Sequence, residues 1–164
     1  MSLTAPAPIH ESHHIGHFNS GVPVLDDWLK RRARANQASG ASRTYVVCEN
    51  ERVVAYYALS SGALEIESAT GRIRRNMPDP VPVAVLGRLA IMQSHQGRGL
   101  GRALMRDASK RVLQAADIIG IRGIVIHALS PEAKAFYLAL GLEASPLQPM
   151  SLMATLADLQ AALL

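Results

Sequence analysis

"RLAIMQSHQGRGLGRALMRDA", residues 88–108, decides the fold. An apolar run that reads as a strand ends near Met92, and an amphipathic run that reads as a helix begins near Gly99. Between them, Gly97, Gly99 and Gly101 fall within five positions. A helix N-terminus offers unpaired N–H groups and the positive end of the helix dipole. Glycines ahead of it admit positive φ and let the backbone approach an anion closely. With Arg98 and Arg102 alongside, the turn reads as a phosphate cradle. It lacks the lysine and hydroxyl of a Walker A loop. Its G-x-G-x-G spacing differs from the G-x-G-x-x-G of a dinucleotide fold, and it comes late in the chain. What remains is a pyrophosphate held by backbone amides without metal.

Working outward, residues 9–18 are expected to form a first strand, and a helix opens at Ser20-Gly21 and ends near Gly40. Val24, Leu25, Trp28 and Leu29 fall on one face of it. Residues 43–49 and 52–64 are rich in β-branched and aromatic residues and are joined at Asn50-Glu51, which predicts a hairpin. Residues 66–82 hold three prolines and read as a long loop, of the kind that usually carries function. Strands follow at 83–92 and 123–129, joined by a helix over 99–120. Ser130-Pro131-Glu132 is an N-cap, a first-turn proline and an acid at the positive helix end, and Gly141 stops that helix. Residues 150–155 and the closing "TLADLQAALL" complete a strand and a helix. The order predicts an α/β class, an α+β mixed sheet, as one domain over 1–164.

The 164 residues, 49% apolar and 18% charged, suit a single core. No apolar run approaches the roughly 20 residues that span a bilayer. The N-terminus lacks the pattern of a signal peptide, so the expected compartment is the cytoplasm and no membrane partner is expected. A single cysteine, Cys48, excludes an internal disulfide framework. The net charge is +4, and the arginines cluster in "KRRAR" (30–34) and "RIRR" (72–75). Lys30, Arg31, Arg72, Arg74 and Arg75 are therefore candidates for phosphate contact. Arg88, a charge inside a buried strand, needs a partner or an opening and is a candidate to face substrate. His10, His13, His14 and His17 alternate faces with no cysteine or acid cluster beside them, so no metal is expected. Cys48, Trp28 and His127 read as packed residues.

"QGRGLG" fits [Q/R]-x-x-G-x-[G/A] through Gln96, Gly99 and Gly101. Here the sequence resembles the GNAT superfamily of N-acetyltransferases, over most of the chain. The resemblance implies the acyl-CoA N-acyltransferase fold, a central twisted mixed sheet with splayed strands flanked by helices, and acetyl-CoA as cosubstrate. It implies that residues 96–102 (Gln96, Gly97, Arg98, Gly99, Leu100, Gly101 and Arg102) bind the pyrophosphate. The main chain of Leu89, Ala90 and Ile91 would pair with the pantetheine arm. "GIVIHAL" matches the splayed strand, and "AKAFYLALGL" carries Phe136 at the cofactor, Tyr137 and then Gly141. The features "FNSGVPVLDDWLKRRA" (18–33) and "RRNMPDPVPVAVLGRLAI" (74–91) are similar to TacT-type toxins of type II toxin–antitoxin pairs. That likeness implies acetylation of the α-amino group of aminoacyl-tRNA, which blocks translation. It implies a homodimer and neutralisation by a ribbon-helix-helix antitoxin. No DNA-reading element is present in the sequence, so DNA is expected only indirectly, through that antitoxin. Met92-Gln93 stands where the family often has an acid.

Transfer from a thioester to an amine needs a neutral amine, a polarised carbonyl and a protonated leaving sulfur. Tyr137 matches the family tyrosine that supplies the proton, making it the catalytic candidate. Periodicity alone reads it as a core tyrosine. No carboxylate stands in a general-base position, which suits an α-amino ester because it is less basic than lysine. A small-molecule amine or a protein N-terminus is the alternative acceptor. A coenzyme-A-binding regulatory module is the non-enzyme alternative, which a phenylalanine at 137 would have favoured.

Overall fold

The computed structural model describes residues 2–164. Its strands form a seven-stranded mixed sheet in the order β1-β2-β3-β4-β5-β7-β6, with helices on its faces. The chain divides into two compact units, one of residues up to Ser60 plus Gly87–Asp107, the other of Ser61–Leu86 plus Ala108–Leu164.

The first unit opens with a two-residue strand β1 (Ala7–Pro8), which pairs antiparallel with β2 (Arg43–Glu49). The expected strand over 9–18 is not formed. That segment instead sends Ile9, Ile15 and Phe18 into the core from irregular backbone, joined to the sheet by the bridge between His14 and Arg52 and by the Ile9 N–H, which donates to the Thr44 carbonyl at 3.0 Å. The first helical region is two helices, α1 (Pro23–Arg31) and α2 (Ala33–Ser39), broken at Arg32 (φ −121°). Pro23 opens α1, Asp26 stands in its first turn, and Lys30 and Arg31 in its last, all favourable to the helix dipole. Leu25 and Leu29 are buried, but Val24, expected on that face, is 57% exposed. Gly40, at φ 84°, ends α2 in the left-handed conformation. β2 and β3 (Arg52–Leu64) form the expected hairpin, with Asn50 and Glu51 at φ 52° and 64° in its turn. Leu25, Leu29, Val46, Cys48, Val53, Tyr56 and Ala90 make the unit's core, against which Trp28 and Met92 pack.

In the second unit the expected loop after β3 contains a 3₁₀ turn (Ile66–Ser68) and a short helix, α3 (Gly71–Arg74), capped by Thr70. Ala69 and Ile73 are thereby buried against Val81, Val83, Val125 and Met153. β4 (Val81–Ile91) pairs in parallel with β5 (Gly123–His127) over Ala84–Leu86 and Ile124–Ile126. The helix between them, α4, is Leu100–Ala116. A side chain at Gly123 would meet the carbonyl oxygen of Ala154 at 2.2 Å, so a bare backbone is required where β5 meets β7 (Ser151–Thr155). α5 (Pro131–Ala139) starts as expected, the Ser130 hydroxyl accepting from the Ala133 N–H at 3.1 Å. A two-residue strand, β6 (Glu143–Ala144), precedes β7, and α6 (Leu156–Leu163) closes the chain. No helix among the described residues is long and apolar enough to cross a membrane.

Candidate active site

In the first unit, β4 ends at Ile91 and a 3₁₀ turn (Gln93–His95) leads to Gln96 in extended backbone. Gly97 and Gly99 then adopt φ 78° and 82°, the region that disfavours any side chain. No heavy atom lies within 4 Å of where a Cβ would stand on either. α4 begins at once, and the first N–H to bond back is that of Ala103, to the Gly99 carbonyl at 3.1 Å. The N–H groups ahead of it have no helical partner and lie in an exposed turn at the positive end of a 17-residue helix, with exposed Arg98 and Arg102 beside them. A pyrophosphate fits there: a cradle of donors, no side chain to fill it, and flanking cations. The Gln96 side chain, expected at the ligand, has a second use. Its amide donates to the carbonyl of Ser20 at 2.9 Å and to that of Ile91 at 2.8 Å. The turn is thus tied to the end of β4 and to the approach to α1. That approach is fixed by buried Asp26, which accepts from the Ser20 N–H at 3.0 Å and its hydroxyl at 2.7 Å.

Of the residues expected at the pantetheine arm, Leu89 and Ile91 are half-buried and Ala90 is buried in the α1-side core. Between them and Leu86 stands Arg88, whose guanidinium carbon lies 4.6 Å from the centroid of the Trp28 ring. Trp28, expected in the core, is half-buried and stacks on Tyr56, with centroids 6.0 Å apart and planes 9° apart. Tyr56 is fully buried and donates to the Leu25 carbonyl at 2.6 Å. Burial pushes its pKa up, only partly opposed by Arg88. Lys30 and Arg31 are exposed on the last turn of α1 and form no ion pair among the described residues.

In the second unit, Tyr137 lies on α5 and is 6% exposed, its ring edge-on to half-buried Phe136 at 5.1 Å. Burial pushes its pKa up to about 12, so the hydroxyl is protonated at any physiological pH. It has no hydrogen-bond partner among the described residues, yet is not among the sealed polar atoms. A core tyrosine usually satisfies its hydroxyl; this one keeps its proton available.

The basic cluster at 72–75 does not act as a unit. Arg72 forks onto Asp158 of α6 through Nε and Nη2 at 2.7 and 2.5 Å, which fixes its direction while the side chain stays exposed. Arg74 and Arg75 are exposed and unpaired among the described residues. Arg122 was missed by sequence reasoning. Its guanidinium donates to the carbonyls of Ile73 at 3.1 Å and Arg72 at 2.8 Å, bracing α3. With Arg72 and Arg75 it lines a cavity of about 570 Å³. His127 is exposed, not packed as expected, and its Nδ1 lies 2.7 Å from the Ser151 hydroxyl. Cys48 is buried, and burial pushes its thiol up. Of the N-terminal histidines, His13 accepts from the His10 N–H at 2.9 Å. Among the described residues no group of three metal-ligating side chains converges.

Residues 10–142 match the family model described as the acetyltransferase (GNAT) family. Over 158 residues the chain is 51% identical to a tRNA-acetylating toxin of Mycobacterium tuberculosis, covering 96% of this chain and 95% of that one. Its structure is similar to that of the toxin AtaT complexed with acetyl-methionyl-tRNAfMet, with a TM-score of 0.89 and 25% identity over 98% of each chain. It is also similar to a tyrosine-to-phenylalanine mutant of AtaT bound to the C-terminus of the antitoxin AtaR and acetyl-CoA. There the TM-score is 0.82, with 25% identity over 97% of this chain and 96% of that one. The family match spans the glycine turn, β4, β5 and α5, and with it the chain belongs to the GNAT family of acetyltransferases.

Proposed function

We propose that this chain moves an acetyl group from acetyl-CoA to the α-amino group of aminoacyl-tRNA, thereby blocking translation. The observation that carries the reading is the amide cradle at the head of α4, in a chain 51% identical to a tRNA-acetylating toxin. Acetyl-CoA supplies the activated acetyl thioester. The N–H groups from Gly97 to Arg102 hold its pyrophosphate, and the main chain of Leu89, Ala90 and Ile91 orients its arm. Phe136 packs beside the cofactor. Tyr137 donates its phenolic proton to the departing sulfur as the C–S bond breaks and the N–C bond forms. The amine's own proton passes through water to the Tyr137 phenolate and restores the phenol, and an aminoacyl ester is neutral often enough that no carboxylate is needed. Arg74, Arg75, Lys30 and Arg31 draw the RNA in by its phosphates. Arg72, exposed beside them but paired with Asp158, joins this set with its remaining donors.

The same reading includes a homodimer and a ribbon-helix-helix antitoxin that neutralises the enzyme and alone contacts DNA. The AtaT structure with the AtaR C-terminus supports an antitoxin partner. The reading is tested with purified protein, charged tRNA and labelled acetyl-CoA. The label is expected on the amino acid, recovered as its N-acetyl form after the ester is hydrolysed. Label on a free amine or on a protein N-terminus instead would reassign the acceptor.

A further inference from the structure

Arg88 is a half-buried cation with no carboxylate partner among the described residues. Asp26, the buried acid of neighbouring α1, is engaged by Ser20. What holds Arg88 is Trp28, 4.6 Å under the guanidinium, and Trp28 is backed by Tyr56, itself immobilised by full burial and the bond to Leu25. The three side chains form a fixed column with the guanidinium as its outer layer. One face of the guanidinium is covered. Its edge carries five N–H donors, none hydrogen-bonded to the described residues. Partly desolvating a charge is unfavourable, and a cation–π contact offsets only part of that. A methionine would fill the same space without the penalty. The arrangement suits a doubly anchored anion, because a planar fork meets phosphate oxygens two at a time. Arg88 directly precedes Leu89–Ile91. Trp28 precedes the exposed cations Lys30 and Arg31 along α1 by two and three positions.

We propose that the Trp28-supported guanidinium of Arg88 grips the phosphate on the 5′ side of the aminoacylated terminal nucleotide. It thereby selects charged RNA over free amino acids and their simple esters. The inference rests on the aminoacyl-tRNA reading and adds to it a specificity residue and the chemical group it recognises.

The test compares 3′-O-aminoacyl-adenosine with and without a 5′-phosphate as acceptors, for the parent, Arg88→Met and Arg88→Lys. Acetyl-CoA binding by calorimetry monitors the fold of each variant. The parent is expected to prefer the phosphorylated acceptor by about tenfold or more in kcat/KM, the effect of one charge-assisted contact. In Arg88→Met the ratio is expected to fall towards one. Arg88→Lys, with the charge but not the fork, is expected to keep an intermediate ratio. A parent ratio near one overturns the inference without reference to any variant, as does an Arg88→Met ratio equal to the parent's. Charged full-length tRNA is the separate arm. No acetylated product from it in the parent sinks the aminoacyl-tRNA reading itself, whereas product there with no phosphate preference sinks only the role of Arg88.

Discussion

Gly99 and Gly40 form a matched pair. Both sit in the left-handed region, at φ 82° and 84°, and a Cβ on either meets nothing within 4 Å. Valine at either position brings the same kind of backbone strain, about 1–2 kcal/mol or more. For a chain of this size that lowers Tm by about 2–8 °C. The two differ only in what they face: Gly40 ends α2, and Gly99 heads α4. If the space before Gly99 is where a pyrophosphate sits, a β-branched side chain there fills it and displaces one or more amide-to-anion hydrogen bonds. Each such bond contributes about 1.5–3 kcal/mol, so Gly99→Val is expected to weaken acetyl-CoA binding by roughly 10-fold to 150-fold. Gly40→Val is expected to bind within about twofold of the parent. Titration calorimetry reads the affinities and scanning calorimetry the strain. Equal affinity in the two variants, with equal loss of Tm, would refute the assignment of the turn, because strain alone would then account for everything seen.

Tyr137→Phe keeps the ring against Phe136 and removes the donor, so single-turnover acetylation is expected to fall about 10²-fold with acetyl-CoA affinity kept; an unchanged rate would make Tyr137 a packing residue. Arg74→Glu with Arg75→Glu is expected to weaken tRNA binding and flatten its dependence on salt by about 0.7–0.9 in log–log slope for each phosphate no longer neutralised; an unaltered slope would remove both from the RNA path. Asp158 has its pKa lowered, first by the hydrogen bond from Arg72. The stabilisation it gives is therefore full above its ordinary value of 3.8 and is lost as pH falls through the lower folded value. The protection of α6 amides, taken relative to the intrinsic exchange rate at each pH, should then fall on acidification below about pH 4 in the parent, whereas Asp158→Asn should show the reduced protection already at pH 6.

The elements written in local chemistry were legible. The hairpin turn at Asn50-Glu51, the Ser130 cap, the stop at Gly141 and the glycine turn all depend on residues adjacent in sequence. What escaped depends on distant partners. "KRRARANQ" holds nothing that breaks a helix, yet α1 and α2 part at Arg32, where packing sends Leu29 and Ala33 into one core from two helices. Residues 9–18 look apolar enough for a strand, but only the fold reveals that Ile9, Ile15 and Phe18 reach the core without one. At the site, the glycine spacing pointed to the anion turn, while the fates of the arginines were hidden. Arg72 and Asp158 are 86 residues apart, and Arg122 lies 49 from the carbonyl it holds. Clustering in sequence made Arg72, Arg74 and Arg75 look alike. All three are exposed, but tertiary structure pairs the first with Asp158 and leaves the other two without an ion pair among the described residues.

The Gln96 brace bears on how tightly a flexible cofactor can be held. A loop that must be ordered by its ligand loses conformational entropy at that moment, and the affinity is reduced accordingly. Here one side chain already spans from Ile91 to Ser20, so the residue that opens the turn is fixed in the free protein. Gln96→Leu would leave both carbonyls intact and the donors of α4 in place, and would return the ordering to the binding step. Its signature would be calorimetric: affinity lost mainly through a more unfavourable entropy, with the enthalpy of the amide contacts retained.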